Sequence, residues 1–203
     1  MDASIFKTKV AQACRNVIAS EPEITRFDTI VGDGDCGETL ARGATAVEKF
    51  LDSPELSDDA VSTLLHLANV IENNMDGTSG AIYGIYFAAL AATVRNLPPS
   101  VQVLDTEAWG KVAKAALTQL QLATPARQGD RTLMDALEPF VESLAAGDAI
   151  EQAVAKATLG VEATKGMTAA FGRAVYVEES AWSIVPDPGA EGVLCILKGL
   201  ASV

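Results

Sequence analysis

Three aspartates and the glycines between them form the stretch of this chain whose residue types are best suited to chemistry. Asp28, Asp33 and Asp35 offer hard oxygen ligands, while Gly32 and Gly34 let the backbone take the turns that bring three carboxylates to one point. Carboxylates gathered in this way repel one another unless cations lie among them. The pattern therefore predicts a Mg²⁺ site.

The segment after these aspartates has the spacing of a helix and predicts a phosphate site beside the metal. Gly37 opens it, and its apolar residues recur at Leu40, Ala44, Val47 and Leu51. The free amides of Cys36 to Thr39 then fall at a helix N-terminus, which attracts anions. The phosphates of a nucleotide suit this combination, because cations neutralise their oxygens while amides fix them in place.

Two other motifs for such ligands do not fit. A Walker loop needs G-x-x-x-x-G-K-[ST], and the chain contains no such run. An EF-hand that starts at Asp33 would need an oxygen ligand where Gly37 stands and a Glu where Ala44 stands. A surface turn rich in Asp and Gly, with the aspartates as helix caps, remains the alternative on residue types alone.

The composition describes an acidic chain with one core. Among 203 residues, 49% are hydrophobic and only 5% aromatic, so we expect one sizeable core of Ala, Leu and Val. The net charge of −12, without any cluster of Lys and Arg, argues against nucleic acid and anionic membranes as partners. Cys14, Cys36 and Cys195 are widely spaced and form no C-x-x-C pair, which argues against a zinc site and favours a reducing cytoplasm.

No segment has the pattern of a signal peptide or a membrane span. Asp2 carries negative charge where a signal peptide would be positive. The longest apolar run, Ala81 to Val94, is shorter than the ~20 residues that cross a bilayer. We therefore expect this run to be a buried helix at the centre of a cytoplasmic protein.

Helical spacing of apolar residues recurs along the whole chain and predicts about eight helices. The first helix is predicted to end before Pro22, the second to run from Glu38 to Leu51, and the third to follow the N-cap Ser57. The fourth begins at Gly77, the fifth runs from about Asp105 to Ala123, and the sixth begins at Gly129-Asp130. The seventh is capped by Asp148 and Glu151 and runs towards Met167, and the last follows Asp187-Pro188-Gly189. Only Ala174 to Glu179 has the composition of an extended stretch. The predicted fold is all-α, an antiparallel bundle or barrel.

The loops of this bundle indicate where the site lies. In an up-and-down bundle, every second loop lies at the same end. The polar, glycine-containing loops are those before helices two, four, six and eight, namely Asp28–Gly37, Gly77–Gly80, Gly129–Thr132 and Pro186–Ala190. We therefore expect a single nucleotide site at one end of the bundle.

With these loops in view, the chain resembles the nucleotide-binding, L-type domain of the dihydroxyacetone kinases, over nearly its whole length and as one domain, 1–203. The matching runs, all in the family's order, are Asp28-Thr-Ile-Val-Gly-Asp-Gly-Asp-Cys-Gly37, Met75-Asp-Gly-Thr-Ser-Gly-Ala81, Gly129-Asp-Arg-Thr-Leu-Met-Asp-Ala136, Ala170-Phe-Gly-Arg-Ala-Val-Tyr176 and Asp187-Pro-Gly-Ala190. Each run alone is weak, but together they are specific.

The resemblance implies a role for each residue of the site. Asp28, Asp33 and Asp35 would hold two Mg²⁺ ions that bridge the phosphates of ATP or ADP, and together with Arg173, near the phosphates or ribose, they would form the catalytic set. The residues implied to bind the nucleotide are the amides of Cys36, Gly37, Glu38 and Thr39, the hydroxyls of Thr78 and Ser79, the side chain of Leu133 on the adenine, and Asp187, Pro188 and Gly189 closing over it. On residue type alone, a solvated or salt-bridged surface arginine remains the alternative for Arg173.

The resemblance also implies the donor and a partner. The position of Cys36 is usually His in members fed by the phosphotransferase system, where ADP stays bound as a cofactor, and typically Cys in ATP-dependent members. In the family, a separate K-type domain or subunit holds the keto-sugar through a His. The single His of this chain, His66, stands among leucines of a helix and is predicted to be structural. The chain would therefore be half of an enzyme.

The residues and the resemblance together imply three candidate functions. The leading one is phosphoryl transfer from Mg-ATP to a hydroxyl of a small keto-sugar such as dihydroxyacetone, which a K-type partner presents. An ADP-cofactor subunit that a phosphotransferase protein phosphorylates is the first alternative. The second is a non-catalytic module that binds a nucleotide or, inside the bundle, an apolar ligand.

Overall fold

Helices make up the ordered framework of this chain in a computed structural model, which describes residues 2–98, 104–177 and 179–202. These residues contain no strand and one 3₁₀ turn, Arg173–Tyr176. The helices are α1 Ala3–Val31, α2 Cys36–Leu51, α3 Ala60–Asn74, α4 Gly77–Arg95, α5 Thr106–Ala123, α6 Met134–Ala145, α7 Ile150–Ala163, the short α8 Glu179–Trp182 and α9 Pro188–Ala201.

The eight long helices close into a ring. Each packs beside the next along the chain, α7 packs against α9, and α9 returns against α1. Short connections make neighbouring helices antiparallel. The predicted all-α fold of about eight helices is therefore confirmed, and the ring makes it a barrel.

The interior of the barrel is lined by apolar side chains. One cluster of buried side chains lies between α4 to α7 and α9, and a second lies between α1 to α4 and α9. The second cluster borders a partly open cavity of about 80 Å³, whose lining includes Val17, Leu40, Leu67, Tyr83 and Ile196. A cavity that binds benzene has about 150 Å³. The volume of this cavity is about half of that.

The first helix is longer than predicted, because α1 continues through Pro22 to Val31. Proline costs about 3 kcal/mol inside a helix. The residues beyond it are deeply buried, since Ile24 packs in the second cluster while Phe27 and Val31 pack against Trp182 and Val185. This tertiary burial outweighs the local cost. Asp28 therefore lies in the last turn of a helix and not in the predicted loop.

The fourth helix is a wall of the barrel and not the buried centre that its composition predicted. It packs between α3 and α5, with Gly80, Gly84, Ala89, Leu90 and Ala91 buried, while most of its other residues keep some exposure. Alanine and glycine raise the apolar content of α4 without requiring burial on every side. Among the described residues, α4 is the one helix that is long and apolar enough to cross a membrane. A helix in the core of a soluble protein can have the same length and composition.

Four further boundaries differ from prediction. Asp59, not Ser57, is the N-cap of α3, and Met134 begins α6, whose Pro139 lies inside the helix. At the start of α7, the amide of Ala149 donates to Gln152, while Asp148 accepts from Ser143, so the predicted pair with Glu151 is wrong. The same helix ends at Ala163, before Met167. The predicted extended stretch, 174–179, instead begins in the 3₁₀ turn and ends in α8, and residue 178 lies outside the described residues.

Candidate functional site

Asp28 joins the end of α1 to the start of α2. The amide of Gly32 donates to the Asp28 carbonyl at 2.7 Å, which ends α1, and the amide of Cys36 donates to Asp28 Oδ2 at 2.9 Å. A Cβ on Gly32 would lie 2.0 Å from Asp28 Oδ1, so a side chain at this position would displace the Asp28 carboxylate. Asp28 is buried, and burial raises the pKa of its carboxyl above the usual range, with further contributions from Asp33 and Asp35.

The predicted aspartates meet in space. One oxygen each of Asp28, Asp33 and Asp35 lies within 4.8 Å of the others. Asp33 and Asp35 are exposed, and the Asp35 side chain makes no capping hydrogen bond although Asp35 is the N-cap of α2. Gly34 between them has a φ of +83°, which glycine adopts without strain. An all-oxygen group of this kind, open to solvent on one side, fits Mg²⁺.

Two of the four amides expected to bind phosphate already have acceptors. The amide of Cys36 donates to Asp28, and the amide of Thr39 donates to the Asp35 carbonyl at 2.9 Å. Gly37 and Glu38 are left without an acceptor among the described residues. The N-terminus of α2 therefore offers an anion fewer free amides than the sequence predicted. These amides lie next to the carboxylates.

Arg173 contacts the carboxylates from the segment between α7 and α8. Its Nε lies 3.0 Å from Asp33 Oδ2, and both side chains remain substantially exposed. The residue begins the 3₁₀ turn after Gly172, whose φ is +75°. An exposed ion pair of this kind contributes only about 0–1 kcal/mol to the stability of the fold. It matters for the site because it places the Arg173 side chain beside the carboxylates.

The start of α9 lies next to Leu133. Asp187 caps the helix, since its Oδ1 accepts from the Ala190 amide at 2.8 Å, and its own amide donates to Thr164 Oγ1 at 2.8 Å. A Cβ on Gly189 would lie 3.6 Å from Leu133 Cβ. Asp187 and Pro188 are buried, while Gly189 and Leu133 are half-buried. Burial raises the pKa of the Asp187 carboxyl to about 7, against the lowering effects of the Ala190 amide and of Arg131.

Thr78 and Ser79 lie in the first turn of α4. Their hydroxyls have no hydrogen-bond partner in the described part of the chain. The loop before them is tied to α2, because Arg42 Nη2 lies 2.6 Å from Asp76 Oδ2 and Arg42 Nε donates to the Asn74 carbonyl at 2.9 Å. A contact of these hydroxyls with a phosphate stays a prediction.

Two buried charged residues near the start of α6, Arg131 and Asp135, were not predicted from the sequence. Both are fully buried. Asp135 accepts from the amides of Gly129 at 2.6 Å and Thr132 at 2.8 Å. The signal was present, since an Asp stands among Leu133, Met134, Ala136 and Leu137 in a segment that is otherwise apolar.

Comparison with known proteins identifies the class that this barrel and its carboxylates define. The profile of the DAK2 domain family matches residues 30–202. The chain belongs to this family.

Its named relatives are larger. A dihydroxyacetone kinase of Komagataella pastoris is 40% identical over 209 residues, which cover 98% of this chain and 34% of the relative. Dihydroxyacetone kinase 2 of Saccharomyces cerevisiae is 41% identical over 189 residues (90% and 32%), and the human triokinase/FMN cyclase is 32% identical over 200 residues (95% and 34%). The chain thus spans about a third of the length of these relatives.

The fold matches solved structures at lower identity. The dihydroxyacetone kinase of C. freundii in its native form superposes with a TM-score of 0.81 at 23% identity, over 99% of this chain and 34% of that one. The crystal structure of the same kinase in complex with AMP-PNP and Mg²⁺ gives a TM-score of 0.78. At this identity, the likeness establishes the fold.

Proposed function

We propose that this chain, 1–203, is one L-type nucleotide-binding domain, the Mg-ATP half of a dihydroxyacetone kinase-like enzyme. It would donate the γ-phosphate of ATP to a hydroxyl of a small keto-sugar that a K-type domain or subunit holds. The observation that carries the proposal is the group of three carboxylates beside the N-terminus of α2. Membership of the DAK2 family and the names of the relatives support the reaction class.

The donor set fits the metal that such a reaction needs. Asp28, Asp33 and Asp35 would hold two Mg²⁺ ions, whose chemistry when bound is to neutralise charge on the phosphates. The burial that raises the Asp28 pKa also makes its ionised form costly without a cation. The crowded carboxylates thus have a physical reason to bind metal.

The remaining residues would bind and orient the nucleotide. The free amides of Gly37 and Glu38 would donate to phosphate oxygens at the positive end of α2, and the hydroxyls of Thr78 and Ser79 would complete the cradle. Arg173 is placed to exchange its contact with Asp33 for a phosphate. The adenine would pack on the apolar surface where Leu133 lies beside Gly189, and Asp187 and Pro188 would close over the adenine.

ATP is the proposed donor. Burial, followed by the charge of Asp28 and other nearby carboxylates, raises the pKa of the Cys36 thiol, so the thiol is neutral and packs rather than reacts. The first alternative, an ADP-cofactor subunit fed by a phosphotransferase protein, would use the same site. A reducing, cytoplasmic setting is part of the proposal, since the chain's three cysteines are free thiols.

The K-type partner that presents the keto-sugar would dock on the segment of this chain that carries Arg173. Four large apolar side chains of this segment are exposed, namely Phe171, Val175, Tyr176 and Ile184. These four exposed apolar side chains, which belong to one segment of the chain, would suit a protein contact. A K-type partner that covers them would bring its keto-sugar to the carboxylates, and docking would supply the orientation that phosphoryl transfer requires.

Phosphate transfer to dihydroxyacetone, measured with and without a K-type partner, tests the proposal. The chain alone should bind Mg-ATP and phosphorylate the ketose negligibly, and activity should appear when the partner is added. Tyr176→Ser should lower the activity with partner without changing Mg-ATP affinity. Ile5→Ser, at the far end of α1 and also exposed, serves as the control. Rapid transfer by the chain alone would show that the acceptor site lies within the barrel.

The alternatives have distinct outcomes in the same assay. Bound ADP that survives purification, and phosphate exchange with a His-phosphorylated protein, would identify the phosphotransferase-fed subunit. Partner activity that is unchanged when the aspartates are replaced would identify a non-catalytic module.

A further inference from the structure

Arg131 is held in a conformation that few side chains adopt. Its φ is +58°, and its side chain is 1% exposed. The left-handed region is unfavourable for any residue with a Cβ, and a buried guanidinium is costly unless it is paired. A residue with both costs keeps this conformation only where its contacts with the surrounding structure hold it there.

Asp135 fixes the backbone on both sides of Arg131. Its two carboxylate oxygens accept from the amides of Gly129 and Thr132, which flank the arginine. The carbonyl of Asp135 faces Gly160 of α7 so closely that a Cβ there would lie 1.8 Å away. The start of α6 and the end of α7 are thereby held in one arrangement, from which the Arg131 side chain projects.

The guanidinium of Arg131 binds three backbone carbonyls that belong to a distant part of the chain. Nη1 donates to the carbonyls of Thr164 and Trp182, and Nη2 donates to the carbonyl of Val185 at 2.9 Å. These acceptors lie after α7, at the end of α8 and just before α9. They therefore enclose the rim segment, which we define as 164–187 and which contains Arg173 and ends at Asp187.

One neighbouring contact attaches the rim segment to the same loop, since the amide of Ala170 donates to the Asp130 carbonyl at 3.2 Å. A second contact joins the two ends of the rim segment, since the amide of Asp187 donates to Thr164 Oγ1. The charge of Arg131 also faces two buried carboxylates, Asp187 and Asp135. One buried side chain thus ties the loop before α6 to both ends of the rim segment.

We propose that Arg131 is a positioning residue for the nucleotide site, which holds the rim segment so that Arg173 and the Asp187–Gly189 turn face the bound nucleotide. It acts through these residues and need not touch the ligand. The inference rests on the proposed function for the identity of the ligand. The attachment itself rests on the hydrogen bonds alone.

Arg131→Lys is the variant that tests this role, because it keeps the charge and loses the fork that spans three carbonyls. We expect the Kd for Mg-ADP, measured by calorimetry, to rise roughly tenfold to hundredfold, as for other residues that orient a binding group. We also expect trypsin to cut faster after Lys165 and Arg173 in the protein free of metal and nucleotide. Arg127→Lys is the matched control, since Arg127 on the same loop binds carbonyls of Gln121, Thr124 and Ala126, all close in sequence.

Loss of stability alone must not mimic the effect. Val141→Ala removes a buried side chain of α6 and should lower the melting temperature without changing Mg-ADP affinity or the cutting rate at Arg173 well below the transition. If Arg131→Lys does not fold, Thr164→Val removes the hydroxyl that accepts from the Asp187 amide and should give a smaller effect of the same sign.

Two results would overturn the proposal. The first is that a folded Arg131→Lys or Thr164→Val variant binds Mg-ADP within about twofold of the unaltered chain and is cut at the same rate. The second is that Val141→Ala reproduces the whole effect. Should the unaltered chain fail to bind Mg-ADP, the proposed function would fail, and the cutting rates would still decide whether Arg131 holds the rim segment.

Discussion

Asp35 is the aspartate whose replacement separates metal binding from folding most cleanly. Its side chain makes no cap, and it faces two other carboxylates within 4.8 Å. Asp35→Asn should abolish phosphate transfer and Mg-ATP binding. The melting temperature of the metal-free protein should hold or rise, because one of three repelling charges is removed. Scanning calorimetry in chelator and the partner assay check both.

Asp52→Asn is the control for Asp35→Asn, since Asp52 follows the other end of the same helix and is exposed. It should leave transfer and Mg-ATP affinity unchanged. If Asp35→Asn unfolds the protein, the aspartates are structural caps, as the alternative reading of the Asp/Gly stretch has it.

Asp187 makes stability depend on pH. Its native pKa of about 7 lies above the roughly 3.9 of an unfolded chain. The folded state therefore binds more protons between these values, and the free energy of unfolding falls as pH rises from about 4 to about 7. Asp187→Asn keeps a capping oxygen and cannot ionise. The stability of the variant relative to the unaltered chain should increase over this interval and level off above it.

Urea unfolding of the metal-free protein across this pH range measures the effect. Asp59→Asn, at the exposed N-cap of α3, measures how replacing an ordinary capping Asp changes the free energy of unfolding. This change is subtracted from the one that Asp187→Asn causes. A difference between Asp187→Asn and the unaltered chain that does not change with pH would contradict the assigned cause.

Gly37 is where the packing of two helices sets the geometry of the site. A Cβ there would lie 2.3 Å from Thr25 Oγ1 and 2.5 Å from the Glu21 carbonyl, so α2 approaches α1 at this point more closely than any side chain permits. Gly37→Ala must push the N-terminus of α2 away from Asp28. We expect lower stability and weaker Mg-ATP binding, measured by urea unfolding and calorimetry.

Gly84→Ala is the matched control within α4. The nearest atom to an added Cβ there is Glu72 Cβ at 3.6 Å, an ordinary contact. Alanine is favoured over glycine in a helix by about 1 kcal/mol, so this variant should be as stable as the unaltered chain or more stable, with unchanged affinity. Equal behaviour of the two variants would show that the α1–α2 contact does not control the site.

The elements that sequence predicted well are those whose signals are local. The starts of α4 and α9 follow from Gly77 and from the Asp187-Pro188 cap, and the periodicity of α2 lies within its own residues. The continuation of α1 past Pro22 was not predictable in this way, because burial against Trp182 and Val185 decides it. Arg131 was missed for the same reason, since its acceptors lie more than 30 residues away.

The whole molecule is an acidic barrel with one polar, partly closed end. Its net charge of −12 repels anions over most of the surface, so a nucleotide must be captured locally, through cations, free amides and Arg173. The closed ring of helices brings the loops that follow α1, α5 and α7 to this end, where the ion pair of Arg173 with Asp33 and the hydrogen bonds of Arg131 connect them. The site is thus a property of the ring as a whole.

Binding of ATP to the isolated chain, titrated by calorimetry in Mg²⁺ and again in chelator, tests the central claim most directly. Three carboxylates and a triphosphate repel one another without cations, so metal and nucleotide should bind cooperatively, with a coupling of at least about tenfold. The account predicts clear binding in Mg²⁺ and much weaker binding in chelator. Equal affinity with and without metal would contradict it.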